Sequence, residues 1–336
     1  MYGKIPLHVA ALNRPPMQIK YLLSGSFAYD TLLPHAGHFH ARILPEQVSR
    51  LSVAFGVGGP RDEFGGTAGN IAYNAALLGS QPVLVGNVGA DFARYRAHLT
   101  AQGLDTSALR VHPQQTTPHA WVLTDAGHNQ ITAFHTGALA CEIALPSIAE
   151  TVPLWHLAPE HPENMVALAL RAGRLSIPYF FDPGQALPAL LEKHALGELD
   201  LRDVLWHAKG LFVNDYEAAL LTGALGAPLE GLLGLDGFVV HTQGAKGASI
   251  VTATGTEFVA AARPSKVVDP TGCGDALRAG FVHAYLRGAD LPDCLALGSA
   301  LASFVVERVG GQRHTPGLPQ VEARVRGPRL ASVQPA

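Results

Sequence analysis

The stretch DPTGCGDALRAGF, residues 269–281, combines a glycine-rich turn with the start of an apolar helix. Leu277 and Phe281 are four residues apart, which is the spacing of one face of an α-helix. Glycines let the backbone N–H groups of residues 272–274 converge at the helix N-terminus, where the helix dipole favours negative charge. Asp275 would then stand beside an anion hole and accept the proton of an attacking hydroxyl. The stretch predicts phosphoryl transfer, although an aspartate here is also a common helix cap.

Short apolar runs alternate with longer amphipathic runs on the N-terminal side of this stretch. PVLVGNVG precedes FARYRAHLTAQG, IPYFFDPG precedes ALPALLEKHALG, and GLFVND precedes YEAALLTGAL; GFVVHTQG and SKVVDP are further strand-like runs. Fully apolar strands followed by helices are typical of a parallel sheet that is covered on both faces. The predicted fold class is therefore α/β, a three-layer sandwich with a central, mostly parallel sheet.

Composition limits the classes of partner. The chain has 336 residues, a net charge of −3 and 48% hydrophobic residues, and it contains no long basic cluster, so we expect no nucleic-acid partner. No apolar run approaches the length of a membrane span, so we expect no membrane partner. Three scattered cysteines indicate a reducing compartment, and we expect the cytoplasm. The spacing of His35, His38 and His40 fits no common zinc motif.

Changes in composition along the chain predict its organisation. The first strand-like run follows Pro15, Pro16 and Met17, and from Gly310 onward the chain is rich in proline, glycine and arginine and loses its apolar periodicity. An apolar hairpin is expected around Asp125. The predicted division is an N-terminal extension at 1–16, one domain at 17–316 with a small β lid from about 34–64 and 112–137, and a flexible tail at 317–336.

Four more stretches carry polar or glycine residues at the ends of strand-like runs, where ligands of such sheets bind. They are Gly65, Gly66 and Asn70 in FGGTAGNIAYNAALLG, Asp30 in SGSFAYD, Asn214 and Glu217 in NDYE, and Thr242, Gly244 and Gly247 in HTQGAKG. Taken alone, each has a structural explanation: tight packing, a turn residue, a capping box at the start of a helix, and a glycine turn. All of them lie at strand ends or helix starts, where one crevice could collect them.

Together the five stretches resemble the signatures of the PfkB carbohydrate kinases, the ribokinase-like family, in a span from Gly25 to Phe281. The resemblance implies a ribokinase-like fold, ATP and Mg²⁺, and leaves a monovalent cation and a monomer or homodimer open. The implied roles are a catalytic base at Asp275, an anion hole at Gly272, Cys273 and Gly274, sugar binding at Asp30, Gly65, Gly66 and Asn70, an indirect magnesium site at Asn214 and Glu217, and nucleotide binding at Thr242, Gly244 and Gly247.

Two positions depart from the common D-T-x-G-A-G-D pattern of that family, namely Pro270 and Cys273. The thiol has no neighbour in sequence that would make it a nucleophile, so Cys273 is interpreted as a packed small residue. Asp269 could form an acid/base couple with Asp275. A role in fixing the glycine loop is the simpler interpretation.

Three details resemble the bacterial adenosine-kinase-like branch: Arg278, Tyr73, and the stretch QITAFHTGA at 130–138. This resemblance implies transfer to the 5′-hydroxyl of a nucleoside, with adenosine as the expected substrate. Phe134 would stack on the base or belong to the lid core. A sugar kinase for ribose, fructose or a related acid is the alternative, and a non-catalytic sugar- or nucleoside-binding regulator is another. The chain contains neither a P-loop nor a GxGxxG turn after the first strand.

Overall fold

The computed structural model describes residues 19–43, 50–127 and 129–327, so the predicted extension at 1–16 lies outside the described residues. The strands, in chain order, are β1 Leu22–Ser24, β2 Ala28–Pro34, β3 Arg61–Gly65, β4 Val83–Val85, β5 Asn87–Gly89, β6 Arg110–His112, β7 His119–Thr124, β8 Gln130–His135, β9 Trp155–Leu157, β10 Tyr179–Phe181, β11 Gly210–Asn214, β12 Phe238–Thr242, β13 Gly247–Thr252 and β14 Gly255–Ala260. The helices are α1 Thr67–Leu77, α2 Ala93–Ala101, α3 Pro162–Arg174, α4 Leu187–Ala195, α5 Leu201–Trp206, α6 Asp215–Leu225, α7 Cys273–Leu286, α8 Leu291–Val305 and α9 Leu318–Val325.

In the described part of the chain, the main sheet has eight strands in the order β14-β13-β12-β11-β10-β9-β1-β4. The six strands from β4 to β12 in this order are parallel to their neighbours, and β13 and β14 add an antiparallel edge. The carboxyl ends of the parallel strands therefore meet at one edge, where the loops that follow them can share a ligand.

Helices cover both faces of this sheet. Phe180 and Phe212 face a core that contains Phe281 of α7, whereas their neighbours Phe181 and Leu211 face a second core formed with α3 to α6. Successive side chains of a strand point to opposite faces, so a fully apolar strand requires a covering layer on each side. The predicted three-layer α/β sandwich is confirmed.

A second sheet of four strands, in the order β3-β2-β7-β8, covers the carboxyl edge of the main sheet. We call it the lid sheet. The predicted hairpin is present as the antiparallel pair β7 and β8, although His128 at its tip lies outside the described residues. The lid sheet begins earlier in the chain than predicted, because β2 starts at Ala28. Asp30 thus lies inside a lid strand that pairs on both sides, with Glu63 and Ala120, and not in a turn.

Two local predictions need correction. The run SKVVDP is not a strand: Val267 is 74% exposed, and the N–H groups of Val268 and Asp269 donate to the carbonyl oxygen of Val306. Hydrophobic residues in a short segment favour a strand only where a sheet edge is available to pair with it.

The predicted tail at 317–336 instead starts with helix α9, which packs against α8. Val321 and Val325 of this helix are buried in the core, and their four-residue spacing forms the apolar face. Residues 328–336 of the predicted tail lie outside the described residues. No helix in the described ranges is long and apolar enough to cross a membrane.

Candidate active site

Two cavities lie on either side of the N-terminus of α7. The first, which we call the lid pocket, has a volume of about 590 Å³ between the lid sheet and the main body. The second, the loop pocket, has a volume of about 320 Å³ beside the β12–β13 connection. Of the residues predicted for the site, the lid pocket is lined by Asp30, Gly66, Asn70, Phe134, Gly272 and Asp275. The loop pocket is lined by Thr242, Gly244, Gly247, Cys273 and Gly274.

The glycine turn before α7 separates the two pockets. Gly272 is the N-cap residue and has φ +79°, a left-handed conformation that side chains other than glycine adopt with strain. The amide of Cys273 donates to the carbonyl oxygen of Pro270 at 3.1 Å. Of the three amides predicted to form the anion hole, this one therefore already has an acceptor inside the chain. The amides of Gly274 and Asp275 belong to the first helical turn, whose N–H groups lack helical acceptors.

Asp269 fixes this turn, as the sequence predicted. Its Oδ1 accepts from the amide of Thr271 at 2.9 Å, and its Oδ2 accepts from the amide of Gly310 at 2.9 Å. Both carboxylate oxygens therefore stabilise backbone, which favours the interpretation of Asp269 as a structural residue over an acid/base partner of Asp275.

Asp275 lies in the first turn of α7 and is partly buried at the base of the lid pocket. Asn70 donates from Nδ2 to Asp275 Oδ2 at 2.8 Å. Burial raises the pKa of Asp275 to about 7, and the hydrogen bond from Asn70 and the charge of Arg278 oppose this rise. A carboxyl group whose pKa lies near neutral pH has the balance of basicity and ionisation that general-base catalysis requires.

Asp30 approaches the same pocket from the lid strand β2. Burial, with a contribution from the negative charge of Glu63, raises the pKa of Asp30 to about 7. Gly65 does not line the pocket, but a Cβ atom there would lie 2.1 Å from Asp30 Oδ2, so glycine is what allows the carboxylate to occupy this position. The adjacent Gly66 is the N-cap residue of α1 and lines the pocket.

Phe134 projects from β8 into the lid pocket and is 51% exposed. A lid-core phenylalanine would be buried, as Phe180 is in the main core. An aromatic ring that is half exposed inside a cavity is instead available to stack against a ligand.

Asn214 and Glu217 form the capping box that the sequence left as an alternative. Asn214 Oδ1 accepts from the amide of Glu217 at 2.9 Å, and Glu217 Oε2 accepts from the amide of Asn214 at 2.9 Å. Neither residue lines the two pockets. Asn214 is nevertheless the strand partner of Thr242, which lines the loop pocket. Burial raises the pKa of Glu217, and the negative charge of Asp182 raises it further.

Cys273 is partly buried, and its Sγ is 3.6 Å from the carbonyl oxygen of Ala302. Burial raises the pKa of this thiol to about 12. A thiol that stays protonated at neutral pH is a weak nucleophile, which agrees with the predicted packing role.

The sequence interpretation did not include Glu160, which lines the lid pocket and is 3% exposed. Its Oε1 accepts from the amide of His161 at 3.0 Å, whereas its Oε2 is buried with no partner at hydrogen-bond geometry among the described residues, although the side chain of Asn164 is near enough to lower the pKa of this carboxyl. Burial raises the pKa of Glu160 to about 8. A buried polar atom without a partner is costly, so this atom is suited to contact a polar ligand group.

A buried ion pair below the glycine turn was also missed. Arg278 of α7 donates to both carboxylate oxygens of Asp182, and its Nη1 donates to the carbonyl oxygen of Gly274 at 3.1 Å. Burial acts to raise the pKa of Asp182, but the charge and hydrogen bonds of Arg278, together with those of His156, outweigh it and lower this pKa below its ordinary value. The pair thus attaches α7 to the loop after β10.

One sequence signal would have found both carboxylates. Asp182 directly follows the apolar run YFF of β10, and Glu160 follows β9 by three residues. Both hold the strand-end position by which the other site residues were selected.

Comparisons with known proteins show which family this chain resembles. A family model described as pfkB family carbohydrate kinase matches residues 46–317. A nucleoside kinase of Methanocaldococcus jannaschii is 33% identical over 272 residues, which cover 80% of this chain and 88% of that protein. A nucleoside kinase of Methanothermobacter thermautotrophicus is 36% identical over 262 residues, covering 76% of this chain and 82% of that protein.

A solved structure of Burkholderia thailandensis nucleoside kinase in complex with inosine is 32% identical and superposes with a TM-score of 0.77, covering 91% of this chain and 97% of that chain. The chain therefore belongs to the pfkB family of carbohydrate kinases, and it is an ATP-dependent kinase with an alcohol as acceptor.

Proposed function

We propose that this chain transfers the γ-phosphate of ATP to the 5′-hydroxyl of a nucleoside, and that its substrate is adenosine, which it converts to AMP. One observation carries the proposal: Asp275 and the glycine turn stand between the lid pocket and the loop pocket. A hydroxyl bound in one cavity can therefore meet a phosphate bound in the other at the N-terminus of α7.

The chemistry assigned to the chain is general-base catalysis with electrostatic stabilisation. Asp275 accepts the proton of the 5′-hydroxyl, the 5′ oxygen bonds to the γ-phosphorus, and the bond from that phosphorus to the β–γ bridging oxygen breaks to release ADP. First-turn amides such as that of Gly274, together with the helix dipole, stabilise the charge on the transferring group. Closure of the lid sheet would exclude water and suppress hydrolysis of ATP.

We assign the sugar hydroxyls to Asp30 and Asn70, which line the lid pocket with Asp275. A carboxylate can accept hydrogen bonds from the 2′- and 3′-hydroxyls, and an amide group can donate to such hydroxyls as well as accept from them. The pocket continues past these residues to Phe134, Gln185 and the loop before α3, which is more room than a free pentose requires. An exposed phenylalanine ring in that extension fits a nucleobase. The relatives that are named nucleoside kinases, and the relative that was solved with inosine, support a nucleoside substrate.

Magnesium fits this site only indirectly. Within the described ranges no group of three or more histidine, cysteine, aspartate or glutamate residues could hold a metal ion. Mg²⁺ commonly binds through one carboxylate, waters and the phosphates of its nucleotide, so Glu217, with Asn214 beside it, is sufficient as a water-mediated ligand. When bound with ATP, Mg²⁺ would neutralise charge on the phosphates.

The test is a panel of acceptors assayed by ATP consumption with product identification. We expect the highest kcat/KM with adenosine and a 5′-monophosphate as product. Fastest turnover on ribose or fructose would instead favour the sugar-kinase alternative. Binding of a nucleoside without turnover of any acceptor would favour the regulator.

A further inference from the structure

Gln312, in the segment after α8 that the sequence does not connect with the site, contacts the proposed sugar-binding amide. Its Nε2 lies 2.9 Å from Asn70 Oδ1 and 2.7 Å from the hydroxyl oxygen of Tyr95. Its Oε1 lies 2.9 Å from His98 Nε2. We propose that Gln312 is a positioning residue, which holds the side-chain amide of Asn70 in the orientation that donates to Asp275. This inference rests on the proposed function of Asp275.

The donor and the acceptor of each of these hydrogen bonds can be assigned by starting from a main-chain carbonyl group, which can only accept. The carbonyl oxygen of Gly65 can only accept, so the Tyr95 hydroxyl donates its proton there, at 2.8 Å. The hydroxyl oxygen must then accept from Gln312, which identifies the near atom of the Gln312 amide as Nε2. The same NH₂ group faces Asn70, whose near atom must therefore be the acceptor Oδ1. This places Asn70 Nδ2 against Asp275 Oδ2, at 2.8 Å.

The segment that carries Gln312 is fixed on both sides of it. Gly310 donates to Asp269, which also holds the glycine turn, and Arg313 pairs with Glu63 through contacts of 2.7 and 3.0 Å. Gln312 is 7% exposed, so its amide cannot exchange these partners for water. The result is a buried amide with one orientation.

This orientation controls the protonation of Asp275. Burial raises the pKa of Asp275, and the donor on Asn70 opposes the rise. If Asn70 turned over, its Oδ1 would face the carboxylate, and repulsion would replace the donated hydrogen bond. The other titratable groups that act on or respond to this carboxylate are Arg278 and Cys273 of α7, Asp182 after β10, Asp30 of β2 and Tyr95 of α2. Of these, Gln312 contacts only Tyr95, whose hydroxyl remains protonated because burial raises its pKa.

The decisive variant is Gln312→Met, which keeps the length of the side chain and removes its donors. We expect the acidic limb of the pH profile of kcat/KM to shift to higher pH by about one unit, because the carboxylate of Asp275 loses the hydrogen bond that Asn70 donates. Turnover should fall about tenfold at pH 6 and stay within about threefold of the native rate at pH 9, where the carboxylate is ionised in both proteins. Gln312→Glu should move the limb at least as far, because its ionised form adds negative charge.

His314→Gln is the matched control. His314 is similarly buried and lies in the same segment, but its side chain bonds to Asn74 at 2.7 Å. We expect this variant to lose activity by the same factor at every pH. A loss in Gln312→Met that is equal at pH 6 and pH 9, as in the control, would overturn the inference and leave Gln312 a structural residue.

A second measurement separates this inference from the proposed function. Carboxyl ¹³C NMR with labelled aspartate, assigned with Asp275→Asn, follows the titration of Asp275 without any substrate. A higher midpoint in Gln312→Met supports the positioning role even if the native chain phosphorylates no nucleoside. An unchanged midpoint contradicts the positioning role even if the kinase activity is confirmed.

Discussion

Replacement of Asp275 by asparagine should remove turnover and, above neutral pH, stabilise the fold. Burial raises the pKa of Asp275 from its ordinary value of 3.8 to about 7. Between these two values the folded chain binds more protons than the unfolded chain, so the free energy of unfolding decreases as the pH rises. The difference between these two pKa values corresponds to a loss of roughly 4 kcal/mol in the free energy of unfolding, and this loss is complete above about pH 7.

Asparagine carries no such penalty, and its Oδ1 can still accept from Asn70. The stability advantage of Asp275→Asn over the native protein should therefore be roughly 2–3 kcal/mol larger at pH 9 than at pH 5. Urea denaturation at pH 5, 7 and 9 measures this gain. In parallel, loss of the proposed base should reduce turnover by about 10²- to 10⁴-fold.

The exposed residue Asp236 provides the control. Asp236→Asn should change the unfolding free energy equally at pH 5 and pH 9. A gain for Asp275→Asn that does not depend on pH would show that burial does not destabilise this carboxylate. Turnover within about tenfold of the native rate would refute its role as the base.

Three further predictions concern residues that line or support the site. Gly65→Ala should raise the KM for the nucleoside with less effect on kcat, since the new Cβ would lie 2.1 Å from Asp30 Oδ2 and displace this carboxylate; steady-state kinetics measure both constants. Phe134→Ala should weaken nucleoside binding by about 1–3 kcal/mol, with little change in melting temperature because the ring is half exposed; calorimetric titration measures the affinity. Arg278→Met should destabilise the fold by about 3–5 kcal/mol, because it removes the guanidinium that pairs with the buried carboxylate of Asp182 and leaves it with His156, 3.6 Å away; urea denaturation measures the loss.

Matched variants separate these effects from general damage. Gly223→Ala lies in α6 with no heavy atom within 4 Å of the new Cβ, and it should leave KM unchanged. Equal affinities of native protein and Phe134→Ala for the nucleoside would exclude stacking by this ring. Adding Asp182→Asn to Arg278→Met should recover part of the lost stability, and a further loss in this double variant would contradict the ion-pair explanation.

Patterns of neighbouring residues predicted most of the fold. The apolar runs became buried parallel strands, and the turn that contains Gly272 became the N-terminus of a helix. The strand predicted at SKVVDP was wrong for a specific reason. Its composition is that of a strand, but its backbone amides donate to the carbonyl oxygen of Val306 and not to a sheet edge. Helix α9 was missed because its apolar face is short, with Leu318, Val321 and Val325 alone, in a segment that is rich in proline, glycine and arginine.

The sequence by itself determined the alternation of strands and helices and the left-handed turn before Asp275, because both depend on the conformational preferences of adjacent residues. Only the tertiary structure decided what surrounds that carboxylate. Asn70 is 205 residues from Asp275, and Gln312 is 242 residues from Asn70. Contacts between positions so far apart depend on how the lid sheet, α1 and the segment after α8 pack together, so no local pattern records them.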